Sequence, residues 1–347
     1  MPNIEINGFT LSPDGTKLLK GCDTEECHIP YGTIVICRHA FDNSQNIKKL
    51  YIPETVEELE DYAFSSMKTE YVHIPKSITK WGENAFFGCY YLKEIDMDPD
   101  LCTLGNSMFM LCSSLEKIVI PHSIKKIPVY TFSNCEKLTS VILPEQLEQI
   151  GDGAFSSCEN LEHINLPNSI KRIGPSAFSD CYRLKSLVLP SSLDALSDYL
   201  FLNCFTLSEI IVPEGVVAIG ESCFYNCSEL KTVQLPSSLL YIEENAIDDC
   251  YQATIKLPYN SFLEEFYNNH SFGTECTIVR YNASYIGNPE ADKKKLELFL
   301  LEMKYKRERD DYEMRKEMGM LTREEIEQEN AIYLDTMYND TDDFLGF

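Results

Sequence analysis

The sequence predicts an α/β repeat solenoid, a right-handed superhelix in which each coil of about 23 residues supplies one short strand and about one helical turn, followed by C-terminal helices. Two recurring residues carry this prediction: a proline every 22 to 24 residues, and a cysteine every 23 residues that a phenylalanine usually precedes by three positions. A fixed period of this length is typical of stacked units that share one core. The prolines are Pro30, Pro53, Pro75, Pro99, Pro121, Pro144, Pro167, Pro190, Pro213, Pro236 and Pro258, and the cysteines are Cys89, Cys112, Cys135, Cys158, Cys181, Cys204, Cys227 and Cys250.

Residues 161–181 show how one unit is built. The segment 161–166 ends in an alternation in which Ile164 and Leu166 point to the same side. Alternation with a period of two predicts a half-buried strand. Pro167 follows directly and ends that strand, because proline cannot donate a backbone hydrogen bond to a neighbour.

The rest of the unit returns the chain to the next strand. Ile170 and Ile173 form a second, looser apolar step, and Gly174 permits a tight bend. Residues 176–181 predict about one helical turn that faces the core. Roughly eight of the 23 side chains then point inward. Their burial does not offset the entropy lost in ordering a whole unit, so we expect a unit to be stable only when it is stacked on others.

The repeat Leu-x-x-Ile-x-Leu-Pro-x-Ser-Ile-x-x-Ile-Gly-x-x-Ala-Phe-x-x-Cys resembles the BspA-like class of leucine-rich repeats over roughly residues 8–281. Residues 9–19 resemble the strands that often precede such arrays. Residues 255–267 and 276–281 resemble the short helix and the last strand that close them. The resemblance implies protein binding or adhesion, no shared catalytic residues, and relatives that are commonly secreted or attached to the cell surface.

The period stops near Asn288, and we therefore predict two domains. Residues 1–281 form the leucine-rich repeat solenoid with N-terminal strands and a C-terminal cap, and residues 282–347 form an acidic helical extension. A capping box at Thr322–Glu325 opens a second helix of this extension. The helices either shield the last coil or bind a partner or a second copy of the chain, giving a homo-oligomer. The predicted apolar side of the first helix comprises Leu296, Phe299, Leu300 and Met303.

Composition narrows the function classes. The chain of 347 residues is 44% hydrophobic and contains 30 basic and 55 acidic residues, a net charge of −25. This acidity argues against binding to nucleic acid or to an anionic membrane, because both favour basic patches. No apolar segment has the length that crosses a membrane, and no N-terminal secretion signal is visible. We therefore expect no membrane association and a cytoplasmic location.

The periodic cysteines indicate core residues more than metal ligands or redox groups. Equivalent residues of stacked coils lie about 5 Å apart but point the same way, so we expect the periodic cysteines to be buried free thiols, with a metal or redox role as the alternative. A separate N-terminal group could suggest zinc, although its spacing matches no standard zinc finger. We therefore predict no metal and no cofactor. That group consists of Cys22, Cys27, His28, Cys37 and His39.

Signatures of catalysis are missing from the sequence. The six histidines are scattered, and the chain contains no nucleophilic serine elbow, no HExxH pair and no phosphate-binding loop. We therefore expect no catalytic residues and no enzymatic activity.

Repeat proteins usually bind partners through outward strand positions. Here the N-terminal coils present aromatic and imidazole groups, and the coil after His73 is displaced by one residue and presents Asp96. The middle coils present β-branched residues, which either simply suit strands or form an exposed patch of the kind that marks interfaces. The candidate partner-binding residues are His28, Tyr51, Tyr71, His73, Val119, Ile142, His163, Val188 and Ile211.

These observations predict a non-enzymatic protein–protein interaction scaffold. Its strand face binds one protein partner, and the C-terminal helices bind another. The alternatives are an acidic decoy or inhibitor of a basic nucleic-acid-binding enzyme, and a surface adhesin of the BspA-like type. The net charge is −7 for residues 281–347 and −18 for the remainder. Because the negative charge is spread in proportion to length, it indicates a role in keeping the protein soluble more than a decoy function.

Overall fold

The computed structural model describes residues 2–42, 44–243, 245–259, 276–282, 290–301 and 304–305. The described residues form a right-handed β-solenoid of about ten coils with little helix. The chain divides into two compact units, residues 1–293 and 294–347; the predicted division after residue 281 stays a prediction. Within the described ranges, no helix combines the length and the apolar character needed to cross a bilayer.

Three short strands begin the chain, β1 (Ile4–Ile6), β2 (Phe9–Leu11) and β3 (Lys17–Lys20). The first pair is antiparallel because Asn7 and Gly8 both have positive φ, 49° and 84°, as a two-residue hairpin turn requires. β3 then pairs in parallel with the first coil, so this small meander leads the chain into the array.

A first ladder of parallel strands contains the strand that the sequence predicts. In most of its strands the middle residue is buried and its neighbours point outward. A single bridge between His163 and Ser186 continues the ladder where regular strands are interrupted. The strands are β4 (Glu26–His28), β6 (Lys49–Tyr51), β8 (Tyr71–Ile74), β10 (Glu94–Met97), β11 (Lys117–Val119), β13 (Ser140–Ile142), β17 (Glu209–Ile211), β19 (Thr232–Gln234), β21 (Thr254–Pro258) and β22 (Thr277–Tyr281).

A second ladder corrects the prediction of one strand in each coil. The looser apolar step, Ile170 to Ile173 in the unit above, ends in a two-residue strand that pairs in parallel with the coil before it. A strand of two residues shows no alternation, and its pairing is therefore invisible in the sequence. The strands are β5 (Val35–Ile36), β7 (Glu58–Leu59), β9 (Lys80–Trp81), β12 (Lys126–Ile127), β14 (Gln149–Ile150), β15 (Arg172–Ile173), β16 (Ala195–Leu196), β18 (Ala218–Ile219) and β20 (Tyr241–Ile242).

The third side of each coil is built from turns, and the predicted helical turn is not confirmed. Around Phe178, residues Ser176 and Asp180 are left-handed, with φ of 54° and 58°, and left-handed residues interrupt a right-handed helix. Their N–H groups, and that of Phe178, donate to carbonyl groups of the following coil at 2.7 to 3.1 Å. This third set of hydrogen bonds between coils offsets the strain of the left-handed residues.

A continuous column of stacked phenylalanine rings runs through the core. Successive ring centroids lie 4.9 to 5.9 Å apart. Each ring is at most 1% exposed, so every coil buries its ring against the two beside it. The column comprises Phe41, Phe64, Phe86, Phe109, Phe132, Phe155, Phe178, Phe201 and Phe224.

The periodic cysteines line the same core as free, buried thiols, as expected from their position. The Sγ atom of each one donates to the backbone carbonyl oxygen of the phenylalanine in the preceding coil, at 3.0 to 3.5 Å. Burial raises the pKa of Cys89, Cys135 and Cys181 to about 12. We call these eight residues the cysteine ladder.

One helix, α1, spans residues 290–301 of the described chain, and residues 304–305 are also helical. Leu296 and Phe299, which belong to the predicted apolar side of this helix, are half-buried, whereas Leu300 is exposed. The second predicted helix, beginning at residue 322, lies outside the described residues.

Replacing Phe155 by alanine should lower the free energy of unfolding by about 3–5 kcal/mol, because it removes a buried ring from the middle of the column and leaves a cavity. Urea unfolding followed by far-ultraviolet circular dichroism measures the change. The matched control is Val188→Ala: Val188 is 82% exposed, so its loss should change stability by no more than about 0.5 kcal/mol. Equal effects of the two variants would show that the column does not stabilise the array.

The cysteine ladder should resist alkylation in the folded protein, whereas the exposed Cys102 reacts. Only the thiolate reacts readily, and burial disfavours the thiolate.

The same burial makes the free energy of unfolding depend on pH. Folding raises the pKa of the Cys135 thiol from about 9 to about 12. The stability that this thiol contributes is therefore complete below pH 9 and is lost as the pH rises towards 12. Alkylation with mass spectrometry, and unfolding at several alkaline pH values, measure both effects. Ladder labelling as fast as that of Cys102 would contradict this assignment.

Candidate protein-binding face

The outward side chains of the first ladder all lie on the same side of their coils, and we call this side the ladder face. In β11, Ile118 is buried while Lys117 and Val119 are exposed, because successive residues of a strand point to opposite sides. Eight of the nine candidate residues lie in the strands of this ladder or in its bridge. The ninth, Val188, follows the bridge residue Ser186 by two positions.

Four candidate residues lie together at the N-terminal end of the ladder face. The rings of His28 and Tyr51 are stacked, with centroids 4.3 Å apart and planes inclined by 2°. Tyr71 lies beyond them, with its ring centroid 5.5 Å from that of Tyr51. His73 is in register with Tyr51. We call these four residues the aromatic cluster; parallel pairing with equal register is what places them side by side.

Asp96 contacts the aromatic cluster, although the candidate set does not include it. Its Oδ2 atom accepts hydrogen bonds from the hydroxyl group of Tyr71 at 3.0 Å and from Nδ1 of His73 at 2.9 Å. The hydrogen bond from His73 lowers the pKa of Asp96. Burial, followed by the hydrogen bond to Asp96, raises the pKa of Tyr71 to about 12. The signal in the sequence is the interval of 23 residues from His73 to Asp96, which keeps the two residues in register although Pro99 follows one position later than the other prolines do.

An apolar stripe occupies the middle of the ladder face. Val119 and Ile142 are 61% and 57% exposed and are partners in adjacent strands. Val188 and Ile211 are 82% and 54% exposed, and the polar Asn165 separates the two pairs in coil order. We call these four apolar residues the apolar stripe. Four side chains of this kind, each more than half exposed, form an unusual surface for residues that normally fill a core.

Two further residues complete the description of the face. His163 is exposed and is held by its bridge to Ser186, between the two halves of the apolar stripe. Val279, which the candidate set omits, is 45% exposed in β22 and is in register with the outward Lys256. Tyr281, not a proline, stands two positions after Val279, so the usual marker of an outward position is missing there.

The N-terminal group considered for zinc is not gathered around one point. The ring of His28 points to the ladder face and stacks on Tyr51, while Nδ1 of His39 lies 3.1 Å from the carboxylate of Asp42. Cys22 and Cys27 are buried. Among the described residues, no three His, Cys, Asp or Glu side chains are arranged to hold a metal ion.

An open cleft of about 310 Å³ lies beside the second ladder. Its polar groups already have partners: Nζ of Lys80 lies 3.6 Å from a carboxylate oxygen of Glu58, and Nε1 of Trp81 donates to Thr103 at 3.1 Å. Its lining combines two cationic side chains with three carboxylates, so the cleft does not concentrate charge of one sign. It is lined by Arg38, Glu58, Leu59, Glu60, Asp61, Lys80, Trp81 and Gly82.

Two backbone ladders, a phenylalanine column and an open strand face together define a leucine-rich repeat solenoid. Segments 15–139, 125–254 and 194–288 match the BspA type leucine rich repeat region, in six copies. The chain belongs to this family, as its repeat unit indicates.

The solved structures that resemble the chain are bacterial repeat proteins. A leucine-rich repeat protein from Bacteroides ovatus is 21% identical, with a TM-score of 0.43, over 80% of this chain and 97% of that one. A leucine-rich repeat protein from T. pallidum is 22% identical, with a TM-score of 0.39, over 78% and 95% of the two chains. The pneumococcal vaccine antigen PcpA is 12% identical, with a TM-score of 0.38, over 81% and 99%. No curated protein matches the chain significantly.

Replacing Asp96 by asparagine should lower the pKa of Tyr71 from about 12 towards the ordinary value of 10. The variant lacks the carboxylate that accepts a hydrogen bond from the neutral phenol and repels the phenolate. NMR of isotope-labelled tyrosine, assigned with Tyr71→Phe, follows the titration. The matched control is Asp100→Asn, because Asp100 pairs with Lys76 instead and its loss should leave Tyr71 unchanged. An unaltered Tyr71 titration in Asp96→Asn would exclude the contact.

Proposed function

We propose that this protein is a non-enzymatic binding module that holds a protein partner on its ladder face. The observation that carries the proposal is the apolar stripe, in which four aliphatic side chains are each more than half exposed. Exposed apolar patches on soluble proteins mark interaction sites, because covering them releases water from apolar surface. The strands that carry Val119, Ile142 and Ile211 are hydrogen-bonded to neighbouring strands, so these three residues require little reorganisation on binding.

The aromatic cluster supplies a second contact area on the same face. Tyrosine is enriched in protein interfaces, and such residues often carry much of the binding energy. Stacking holds the rings of His28 and Tyr51, and Asp96 orients Tyr71 and His73. Because these side chains are already ordered, a partner would bind them with a small loss of side-chain entropy.

Membership of the BspA type family supports a role in binding or adhesion. An adhesin would use the same ladder face, with the difference that its protein partner lies on another cell. The acidic decoy and the cytoplasmic location stay predictions, since neither follows from the geometry of the face. Self-association through the C-terminal helices also stays a prediction, because most of that segment lies outside the described residues.

Replacing the apolar stripe by lysine tests the proposal. The variant combines Val119→Lys, Ile142→Lys, Val188→Lys and Ile211→Lys, and it should lose the partner in affinity purification from the native cell. Desolvating four ammonium groups at an apolar contact is costly. Folding should survive, because all four side chains are more than half exposed, and circular dichroism checks this.

The control variant places three lysines, instead of four, elsewhere on the surface. Tyr90, Tyr91 and Tyr251 are 49%, 51% and 56% exposed and lie outside the first-ladder strands. A triple variant with lysine at these positions should retain the partner. A partner set that is identical for the wild type and the stripe variant would show that the ladder face is not the binding site.

A further inference from the structure

Two cysteines outside the cysteine ladder face each other where the chain enters the array. Cys22 and Cys27 lie between β3 and the end of β4, and both are buried. Their Sγ atoms are 3.1 Å apart, with the Cys22 thiol directed at the Cys27 sulfur. A disulfide bond between two cysteines joins sulfur atoms about 2.05 Å apart. The two sulfurs therefore need to approach by only about 1 Å for the bond to form.

The cysteine ladder differs from this pair in its geometry. There the sulfur of Cys158 donates to the carbonyl oxygen of Phe132 at 3.3 Å, and that of Cys181 donates to Phe155 at 3.3 Å. Each of these thiols is directed at a backbone oxygen atom of the preceding coil. At the entrance, by contrast, the Cys22 thiol is directed at the Cys27 sulfur, which is the arrangement that precedes a sulfur–sulfur bond.

Contacts with the next coil hold the loop that carries Cys22. The hydroxyl group of Ser44 donates to the carbonyl oxygen of Cys22 at 2.6 Å. The side chain of Asp23 accepts two hydrogen bonds from Asn46, at 2.7 and 2.8 Å. The preceding Gly21 allows the loop to pass close to the core, because a Cβ atom there would lie 2.2 Å from the Phe41 ring. The approach of the two thiols is thus built into a fixed segment.

We propose that Cys22 and Cys27 form a redox site, which a small disulfide oxidant such as oxidised glutathione converts into an intramolecular disulfide bond. The thiolate of one cysteine attacks a sulfur of the oxidant and expels one glutathione thiolate, which takes up a proton. The second cysteine, as its thiolate, then attacks the mixed disulfide and expels the other glutathione. In total the protein loses two protons and two electrons, and one oxidised glutathione becomes two reduced molecules.

The bond would tie the entrance loop to the first strand of the ladder. β4 is the outermost strand of its sheet, with a neighbour on one side only, so it lacks the support that inner strands receive. Cys27 is the middle residue of β4 and directly precedes His28 of the aromatic cluster. A covalent bond at Cys27 therefore restrains the edge of the array at the place where the ladder face begins.

Burial of the two thiols determines whether disulfide exchange is faster in the folded chain or while the chain folds. Burial, followed by the hydrogen bond with Cys22, raises the pKa of Cys27 far above that of an exposed thiol. The thiolate is the reactive form, so exchange in the folded protein is slow, and exchange while the chain folds is fast. The same burial protects the finished bond from reductants.

Trypsin digestion gives a direct assay of the pair. Cleavage after Lys20 and Arg38 releases residues 21–38, which contain Cys22, Cys27 and Cys37, and cleavage after Arg172 and Arg183 releases residues 173–183, which contain only Cys181 of the ladder. The full-length chain is incubated folded, and separately refolded from urea, in buffers with graded ratios of reduced to oxidised glutathione. It is then quenched with acid, alkylated in denaturant and digested.

With increasing oxidant, peptide 21–38 should change from three alkyl groups to one, and fragmentation should place the remaining group on Cys37. Peptide 173–183 should keep its alkyl group throughout. The change should occur faster during refolding than in the folded chain. Three alkyl groups in both preparations at every ratio, or equal oxidation of Cys181, would overturn the proposal.

Two single variants provide the matched comparison. Cys22→Ser should keep two alkyl groups on peptide 21–38 at every glutathione ratio, because the partner thiol is missing. Cys102→Ser removes an exposed cysteine that lies away from the pair, and it should show the same change from three groups to one as the wild type. Loss of the change in Cys102→Ser as well would assign the oxidation to another pair and refute this one.

Discussion

The structure depends on one constraint, which is that each coil satisfies its backbone hydrogen bonds with the coils beside it. Three sides of a coil contribute: the first ladder, the second ladder and the turns around the phenylalanine. A strand of two residues is negligible by itself, yet the same strand repeated in register forms sheets that extend over several coils. The buried ring of each coil likewise stacks only on rings of neighbouring coils. Stability is therefore a property of the array.

The same constraint produces the ladder face. Register between coils places equivalent outward residues next to each other, so side chains about 23 positions apart in the sequence become neighbours in space. This is how Val119 meets Ile142 and how His28 stacks on Tyr51. The same register between β8 and β10 places Asp96 opposite His73, where its carboxylate contacts two members of the aromatic cluster. A solenoid can thus create a composite surface without altering its core.

The prediction from sequence succeeded where the signal was periodic. The repeat unit, the family and the inward phenylalanines all follow from intervals that repeat many times. The helical turn was not confirmed, because the apolar pattern from Ala177 to Cys181 is equally compatible with successive turns, and only the left-handed residues Ser176 and Asp180 exclude a helix. The second strand was missed because two residues carry no alternation. At the candidate site, Asp96 was recognised as an outward residue but was left out of the candidate set. Val279 was missed because no proline stands two positions after it.

The sequence by itself determined the number of coils, the identity of the core residues and the outward position of the candidate residues, because each of these follows from a period that local chemistry imposes. Only the tertiary structure decided which side chains touch. The hydrogen bonds of Asp96 and the direction of each ladder thiol towards a backbone carbonyl depend on distances between coils. The approach of Cys22 to Cys27 depends on the hydrogen bonds by which the next coil holds the entrance loop, and those bonds have the same origin. Those distances are set by the stacking of the whole array, and no single unit contains them.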